Sequence, residues 1–173
     1  MKKLVSVSLL IVLIVIACKT NRSNPQDIFI NLDAKSGSNV AGTVVFSESS
    51  GKVNFKANIS GLKPGIHAIH IHEKSDCSAA DGSSAGGHWN PTFKNHGKWG
   101  STAYHKGDIG NFVADAAGKG TITMSTDEWC IGCGDPARDV LGKSIVVHEG
   151  ADDFVSQPSG NAGARMACSA IIK

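Results

Sequence analysis

The sequence lacks an excess of charge of either sign, and this excludes one broad class of partner. Its 173 residues include 17 Lys and Arg against 15 Asp and Glu. Lys2 and Lys3 precede an apolar run at the N-terminus, and without these two the remaining 15 basic residues match the 15 acidic ones. Binding to nucleic acid needs clustered Lys and Arg that neutralise phosphates. We therefore predict no nucleic-acid partner, and any attraction for an anion must be local.

The sequence also lacks amphipathic helical segments. From position 28 onward, apolar residues fall in short β-rich runs that Gly, Ser, Asn or Pro separate. The predicted strands are 28–32, 40–46, 53–59, 66–72, 111–114, 121–124, 144–148 and 166–172. About eight strands without helices predict an all-β fold, an eight-stranded Greek-key barrel or sandwich. The two long gaps, 74–107 and 149–164, predict functional loops, because long irregular loops in a compact domain usually carry function.

No apolar run is long enough to cross a bilayer comfortably, which takes roughly 20 residues. The longest run, from Leu4 to Ile16, follows a short basic head and ends at Ala17-Cys18. A basic head, an apolar core and a small residue directly before a cysteine resemble the signal sequence of a bacterial lipoprotein. The alternative is an ordinary secretory signal followed by an incidental cysteine.

The lipoprotein interpretation divides the chain into three segments. They are a signal peptide (1–17), a lipidated Cys18 with a polar tether (18–27) and one domain (28–173). We therefore expect an exported protein of the bacterial cell envelope, in the periplasm or on the outer surface. Lipid on Cys18 would anchor it to the membrane. Export also permits disulfide bonds.

Histidine is concentrated in one short stretch of this sequence. Three of the seven histidines lie within "GIHAIHIHE", which starts at Gly65. Side chains alternate along a strand, so His70 and His72 point to the same side and His67 points to the other. Two adjacent imidazoles on a rigid strand can chelate a metal ion. Histidines that meet on a surface by chance are the alternative interpretation.

The remaining histidines supply enough ligands for two metal ions. Three imidazoles in the first long gap and the carboxylate directly after it make up a tetrahedral zinc set: His88, His96, His105 and Asp108. His148 ends a predicted strand and could meet His70 and His72 there. An all-imidazole set of tetragonal shape suits Cu(II).

Five motifs, in order and at matching spacing, resemble the copper/zinc superoxide dismutases. They are "GIHAIHIHE", "AGGHWNP", "HKGDIGNF", "VVHEGADD" and "GNAGARMAC", and the resemblance runs from about Ile28 to Lys173. It implies copper ligands at His70, His72, His88 and His148, and zinc ligands at His88, His96, His105 and Asp108. His88 would then bridge the two ions.

The resemblance also assigns residues around the metals. It implies that Asp152 links a copper ligand to a zinc ligand, and that His67 braces loops without binding metal. Arg165 would lie beside the open copper position and guide the anion, so Arg165 and His88 are the expected catalytic residues. The charged loop that the family carries here is shortened to residues 154–159.

The activity that the resemblance implies is dismutation of superoxide to oxygen and hydrogen peroxide. Copper would cycle between Cu(II) and Cu(I), and His88 would carry a proton when it leaves copper. Zinc has no redox chemistry and would hold the bridge in place. Superoxide is the small-molecule partner that the resemblance implies, and the resemblance also suggests a homodimer.

The other cysteines fall into two pairs. The resemblance implies a disulfide between Cys77 and Cys168, which would tie the metal-binding loop to the last strand. Cys130 and Cys133 depart from the family pattern. They are open to three interpretations: a local disulfide that stiffens a loop, a thiol pair that accepts copper or binds zinc, or a redox pair.

Three rival functions fit parts of the same pattern. A non-catalytic copper-binding or copper-delivery protein could use the same scaffold, but it should have lost a ligand or the arginine. A copper-only dismutase would not need His96, His105 and Asp108. A structural sandwich with a metal staple would not need Arg165 beside an open coordination position.

Overall fold

Eight strands make up the domain. The structure is a computed structural model, and it describes residues 27–173. The predicted signal peptide (1–17), Cys18 and the predicted tether as far as residue 26 lie outside the described residues. The strands are β1 (Ile28–Ala34), β2 (Ala41–Ser49), β3 (Lys52–Ser60), β4 (Gly65–His72), β5 (Gly110–Ala114), β6 (Gly120–Thr126), β7 (Lys143–His148) and β8 (Arg165–Ile171).

The strands form one closed antiparallel barrel in the order β1-β2-β3-β6-β5-β4-β7-β8. Strand β3 pairs with β2 and β6, and β4 pairs with β5 and β7, so the consecutive strands β3 and β4 do not pair with each other. These non-consecutive pairings make the Greek-key connection, so the predicted eight-stranded Greek-key barrel is confirmed. Each observed strand agrees with its predicted bounds to within three residues. Among residues 27–173, no helix has the length and hydrophobicity needed to span a membrane.

Aromatic side chains fill the part of the core that lies nearest the long loops. The rings of Phe46 and Phe55 have centroids 5.2 Å apart, and Trp129 packs edge-on against Phe55 at 6.4 Å. Such tilted contacts are favourable beyond the apolar area that they bury. The Trp129 indole also donates a hydrogen bond to the carbonyl of Lys106, 2.9 Å away. A core residue therefore fixes one point of the loop between β4 and β5.

Strand β4 separates this core from a second buried region on the outside of the barrel. Ile69 and Ile71 belong to the core, whereas His70 and His72 alternate with them and face outward. All four side chains are nevertheless buried. The loops that follow β4 and β7 must therefore cover the outer face.

A disulfide ties the first covering loop to the barrel. The β4–β5 loop (73–109) contains Cys77, which the structure joins to Cys168 of β8 with Cα atoms 5.7 Å apart. Cys168 is fully buried in a small apolar cluster with Ala85 and Val146. The loop is thus fixed to the same outer face that carries the β4 histidines.

A second disulfide lies in the β6–β7 loop (127–142). It joins Cys130 to Cys133, whose Cα atoms are 6.0 Å apart. This agrees with the local-disulfide interpretation, although the bond spans only three positions of sequence.

Removing the long-range disulfide should destabilise the metal-free chain more than removing the local one. Loop-closure entropy makes a crosslink over 91 positions worth about 4–5 kcal/mol and one over three positions about 2 kcal/mol. Urea unfolding of a Cys77→Ser/Cys168→Ser variant should therefore show the larger loss, with Cys130→Ser/Cys133→Ser as the matched control. Equal losses in the two variants would contradict this expectation.

Candidate metal centre

The β4–β5 loop returns to the end of β4 and carries His88 with it. Residues His72 and His88 form an isolated antiparallel bridge. The amide of Trp89 donates to the carbonyl of Ile71 at 2.9 Å, and the Ile71 amide donates to the Gly107 carbonyl at 2.9 Å. A Cβ atom at Gly107 would collide with the Ile71 carbonyl oxygen, so only glycine allows this approach. His88 is therefore positioned by backbone contacts, before any metal is considered.

Four buried imidazoles meet on the outer face of the barrel. His70 and His72 come from β4, His148 ends β7, and His88 comes from the loop. One ring nitrogen from each lies within 4.8 Å of those of the other three. The rings of His70 and His88 have centroids 4.0 Å apart, and those of His72 and His148 are 5.5 Å apart. The structure thus brings together the four predicted copper ligands, and we call these four residues the first group.

A second group shares His88 with the first. Its members are His88, His96, His105 and Asp108, all buried, with one ligand atom each within 4.8 Å of the others. His88 Nδ1 lies 2.8 Å from Asp108 Oδ1, while Asp108 Oδ2 accepts the amides of Gly97 (3.2 Å) and His105 (2.7 Å). The backbone therefore holds the carboxylate through Oδ2, while Oδ1 faces the imidazoles of His88 and His105. These are the predicted zinc ligands.

Outward hydrogen bonds fix the orientation of the other five rings. In each of them one ring nitrogen donates to an oxygen outside the cluster, which leaves the other nitrogen facing inward. The bonds are His70 Nε2 to Asp152 Oδ2 (2.9 Å), His72 Nδ1 to Gly86 O (2.9 Å), His148 Nδ1 to Gly163 O (3.5 Å), His96 Nε2 to Asp152 Oδ1 (2.9 Å) and His105 Nε2 to Lys94 O (3.0 Å).

The ring nitrogens that face inward are the atoms that would bind copper and zinc. Four are buried without a hydrogen-bond partner: His70 Nδ1, His88 Nε2, His96 Nδ1 and His105 Nδ1. His96 Nδ1 approaches Asp108 Oδ2 to 3.0 Å and still forms no hydrogen bond. Each unpaired buried group costs roughly 1–3 kcal/mol, and a bound cation would remove this cost. Four imidazoles suit Cu(II), and three imidazoles with one carboxylate suit Zn²⁺; the residues fit both ions.

Asp152 connects the two groups through one carboxylate. Its two oxygens accept from His70 in the first group and from His96 in the second. The amide side chain of Asn111 pairs with the Asp152 backbone through two hydrogen bonds of 2.8 Å. A side chain at Gly160, where φ is +70°, would collide with this carboxylate. Asp152 can therefore connect the two groups because Asn111 holds its backbone and Gly160 leaves room for its carboxylate.

Burial and the carboxylates shift the pKa values of these groups in opposite directions. Burial lowers the pKa of His72 and His148 well below the usual value, and neighbouring histidines lower it further. Burial also lowers the pKa of His88 to about 4, despite its hydrogen bond to Asp108. Burial opposes protonation of His96 too, but the adjacent carboxylates of Asp108 and Asp152 outweigh it and raise the pKa of His96 to about 9.

A cavity of about 670 Å³ opens onto the first group. His72, His88 and His148 line it together with Arg165 and Lys94. Arg165 lies opposite His148 in the β7–β8 register, beside an irregularity at Val147/His148. The Arg165 guanidinium donates to the carbonyls of Gly82 and Gly86, both at 2.7 Å. An anchored cation therefore lies at the wall of the cavity.

His67 lies outside both groups. Its Nδ1 is 3.1 Å from the carbonyl of His148, and its Nε2 is 2.8 Å from the carbonyl of Lys63. It therefore connects the backbone of one predicted ligand to the turn before β4. This placement is consistent with the bracing role that the resemblance implies.

Sequence reasoning missed three residues that shape the site. Gln157 holds the backbone of His96 from both sides, accepting from its amide (2.8 Å) and donating to its carbonyl (3.0 Å). Asn111 holds Asp152, and Lys94 adds a second cation to the cavity wall. Only "HKGDIGNF", which includes Asn111, offered any signal; nothing near Gln157 or Lys94 sets them apart in the sequence.

Comparison with known proteins identifies the family. The family described as copper/zinc superoxide dismutase (SODC) matches residues 40–171. The chain belongs to this family. Superoxide dismutase [Cu-Zn] 4 of Dictyostelium discoideum is 38% identical over 144 residues, which cover 79% of this chain and 93% of the relative. The family implies copper and zinc as cofactors, and the two groups of ligands described above could hold them.

Other relatives in the comparison have a different described role. The copper chaperone for superoxide dismutase of Rattus norvegicus is 36% identical over 141 residues, which cover 78% of this chain but only 49% of the relative. The chain thus spans about half the length of that chaperone. Among solved structures, the clock protein EA4 matches with a TM-score of 0.73 and 33% identity, covering 86% of this chain and 94% of that one.

The raised pKa of His96 predicts how the stability of the metal-free chain depends on pH. A histidine whose pKa is near 9 when folded and near 6.5 when unfolded stabilises the fold fully below about pH 6.5. This stabilisation is lost as pH rises through about 9. Urea unfolding at pH 6.5 and pH 9 should therefore show a fall that His96→Gln largely abolishes. The same fall in both proteins would contradict the assignment.

Proposed function

We propose that this chain catalyses the dismutation of superoxide to oxygen and hydrogen peroxide. The observation that carries the proposal is the cavity that opens onto three imidazoles of the first group beside an anchored guanidinium. Four buried imidazoles would hold copper, and copper bound there would supply the one-electron chemistry in both halves of the reaction. A metal staple alone would need neither an access route nor a cation beside it.

Arg165 is proposed to hold the superoxide anion. A guanidinium stays protonated at neutral pH, and the carbonyls of Gly82 and Gly86 fix its orientation. At a separation of about 4 Å it attracts a monovalent anion by about 1 kcal/mol in water and by about 4 kcal/mol in a partly dry cleft.

His88 is proposed to move a proton at Nε2. This atom is buried without a hydrogen-bond partner and belongs to a ring that lines the cavity. The opposite ring atom, Nδ1, lies 2.8 Å from Asp108 and stays with the second group. The ring can therefore gain and lose a proton at Nε2 without changing its position. That proton would go to the superoxide that becomes hydrogen peroxide.

Lys94 is proposed to replace part of the charged loop that this chain lacks. The β7–β8 loop (149–164) contains no Lys or Arg, and its residues 154–159 form the shortened segment. Lys94 lines the cavity from the β4–β5 loop instead. Local charge of this kind raises the rate of encounter with an anion, and salt screens it.

The second candidate function is copper delivery without catalysis. The relatives described as copper chaperones favour it, because they match at an identity close to that of the dismutases. Two features of this chain favour the enzyme over the carrier. The chain covers 93% of a dismutase but 49% of a chaperone. It also retains Arg165 and every ligand of both groups.

The cellular setting is proposed from the sequence alone. The lipoprotein-like signal at residues 1–17 supports export to the bacterial cell envelope, with lipid on Cys18 as the anchor. Family membership supports a homodimer.

One purified sample can distinguish the two candidate functions. The protein is loaded with copper and zinc, its metals are counted, and the decay of superoxide is followed by pulse radiolysis. The proposal predicts one copper and one zinc per chain and fast, copper-dependent decay. Tightly bound copper that passes to a second apoprotein, with no superoxide decay above that of buffer, would instead support delivery.

Replacing Arg165 by alanine should slow superoxide decay about tenfold and make the rate less sensitive to salt. The reason is the loss of the fixed cation beside the open side of the first group. The matched control is Arg138→Ala, which removes the same charge from an exposed side chain of the β6–β7 loop outside the cavity lining. Equal rates and salt slopes in the two variants would remove Arg165 from the mechanism.

A further inference from the structure

The β6–β7 loop carries a third cluster of metal-ligating side chains, which the proposed function does not use. Cys130, Cys133 and Asp139 place two sulfurs and one carboxylate oxygen within 4.8 Å of one another. The loop leads into Lys143, the first residue of β7, whereas His148 is the last residue of that strand. A strand of six residues spans roughly 16 Å. The loop therefore joins β7 at the end away from His148, and its three ligating residues belong to neither histidine group.

Asp139 holds the loop in shape by hydrogen bonds to the backbone. Its Oδ1 accepts the amides of Gly132 (2.9 Å) and Leu141 (3.0 Å), and its Oδ2 accepts the amide of Gly134 (2.9 Å). These bonds, together with the charge of Lys173, outweigh burial and lower the pKa of the Asp139 carboxyl. The carboxylate therefore stays ionised and keeps the cysteine-bearing turn folded around itself.

The backbone of Cys130 is fixed independently of its sulfur. Its amide donates to the carbonyl of Arg138 (2.8 Å), and its carbonyl accepts the amide of Val140 (3.1 Å). The neighbouring amide of Ile131 donates to Glu48 at 3.2 Å. None of these contacts requires the disulfide. Breaking that bond should therefore leave the two thiols side by side on a preformed turn.

The two sulfurs differ in access. Cys133 is exposed, whereas Cys130 is buried. A dithiol reductant can therefore attack Cys133 Sγ as a thiolate, form a mixed disulfide and release Cys130 as a thiolate. The second thiol of the reductant then displaces Cys133. The reductant becomes a disulfide, and the protein gains two electrons and two protons as two thiols.

We propose that the reduced Cys130 and Cys133, together with Asp139, bind a divalent ion of the zinc class. Binding releases the two thiol protons and joins two thiolates and one carboxylate to the ion. This S₂O set leaves one tetrahedral position for water, and it is softer than the histidine groups. Lys173, whose ammonium lies against Gly132, offsets the one negative charge that remains.

The spacing of the cysteines suits this ion. Two sulfurs on one tetrahedral zinc lie about 3.8 Å apart, given Zn–S bonds of about 2.3 Å. The Cα atoms of Cys130 and Cys133 are 6.0 Å apart, and side-chain rotation alone can separate the sulfurs to that distance. The site would therefore require reduction but no refolding of the loop.

Cobalt(II) tests the proposal, because thiolate ligands give it a charge-transfer absorption that imidazole and carboxylate ligands do not. The full chain is stripped of metal, reduced with a dithiol, freed of reductant without air and titrated with Co²⁺. We expect a charge-transfer band in the reduced chain. Its intensity should stop rising when the reduced chain has bound one more equivalent of Co²⁺ than the oxidised chain binds. Zn²⁺ should displace the cobalt and abolish the band. No such band in the reduced chain would overturn the proposal.

Two variants separate this site from the other groups. Cys130→Ser/Cys133→Ser should lose the charge-transfer band completely while still binding Co²⁺ at the histidines. A band of unchanged size in this variant would show that Cys77 and Cys168 produce the band, and it would overturn the proposal. Asp139→Asn keeps an oxygen for the amides of Gly132 and Leu141, but it removes the charge and the acceptor of the Gly134 amide. It should weaken Co²⁺ binding about tenfold with an unchanged near-ultraviolet circular dichroism spectrum. Unchanged affinity would show that Asp139 is not a ligand and would reject the three-ligand site.

Discussion

The rest of this site depends on four histidine nitrogens that are buried without hydrogen-bond partners. Each costs roughly 1–3 kcal/mol when unpaired, and together they approach the whole net stability of an ordinary domain. A metal ion removes this cost by taking the lone pairs as ligands. Binding of metal would therefore be coupled to folding, and His88, the one ring that both groups share, would couple the two ions to each other.

The surrounding structure holds in place the histidines whose nitrogens lack hydrogen-bond partners. The barrel supplies two rigid strands, β4 and β7, but the other ligands lie on a loop that needs external support. The Cys77–Cys168 disulfide, the Trp129 indole and the Gln157 amide provide this support from three sides. Asp152 then joins the two groups, because its two oxygens bind one ring in each. An open cavity beside Arg165 is what distinguishes this arrangement from a purely structural metal site.

Sequence alone predicted the fold and the residues that the structure brings together in the two groups, because each depends on a local pattern or on a motif in register. Alternation along β4 separated His67 from His70 and His72, and the structure shows the same separation. Gln157, Lys94 and the support from Trp129 could not be predicted, since these contacts join segments that are distant in sequence. The Cys130–Cys133 pair was left open for the same reason: the backbone bonds to Asp139 appear only once the turn is folded. The signal and lipid-anchor predictions fall on residues 1–26, outside the described part of the chain.

The central claim is that the ring of His88 lies between two different metal ions. Anomalous diffraction from crystals of the copper- and zinc-loaded protein, recorded at the absorption edge of each metal, tests it directly. The account predicts copper within bonding distance of His88 Nε2 and zinc within bonding distance of Nδ1, at about 2.0–2.1 Å for zinc. A single ion on this ring, or the same element on both sides of it, in fully loaded crystals would contradict the account.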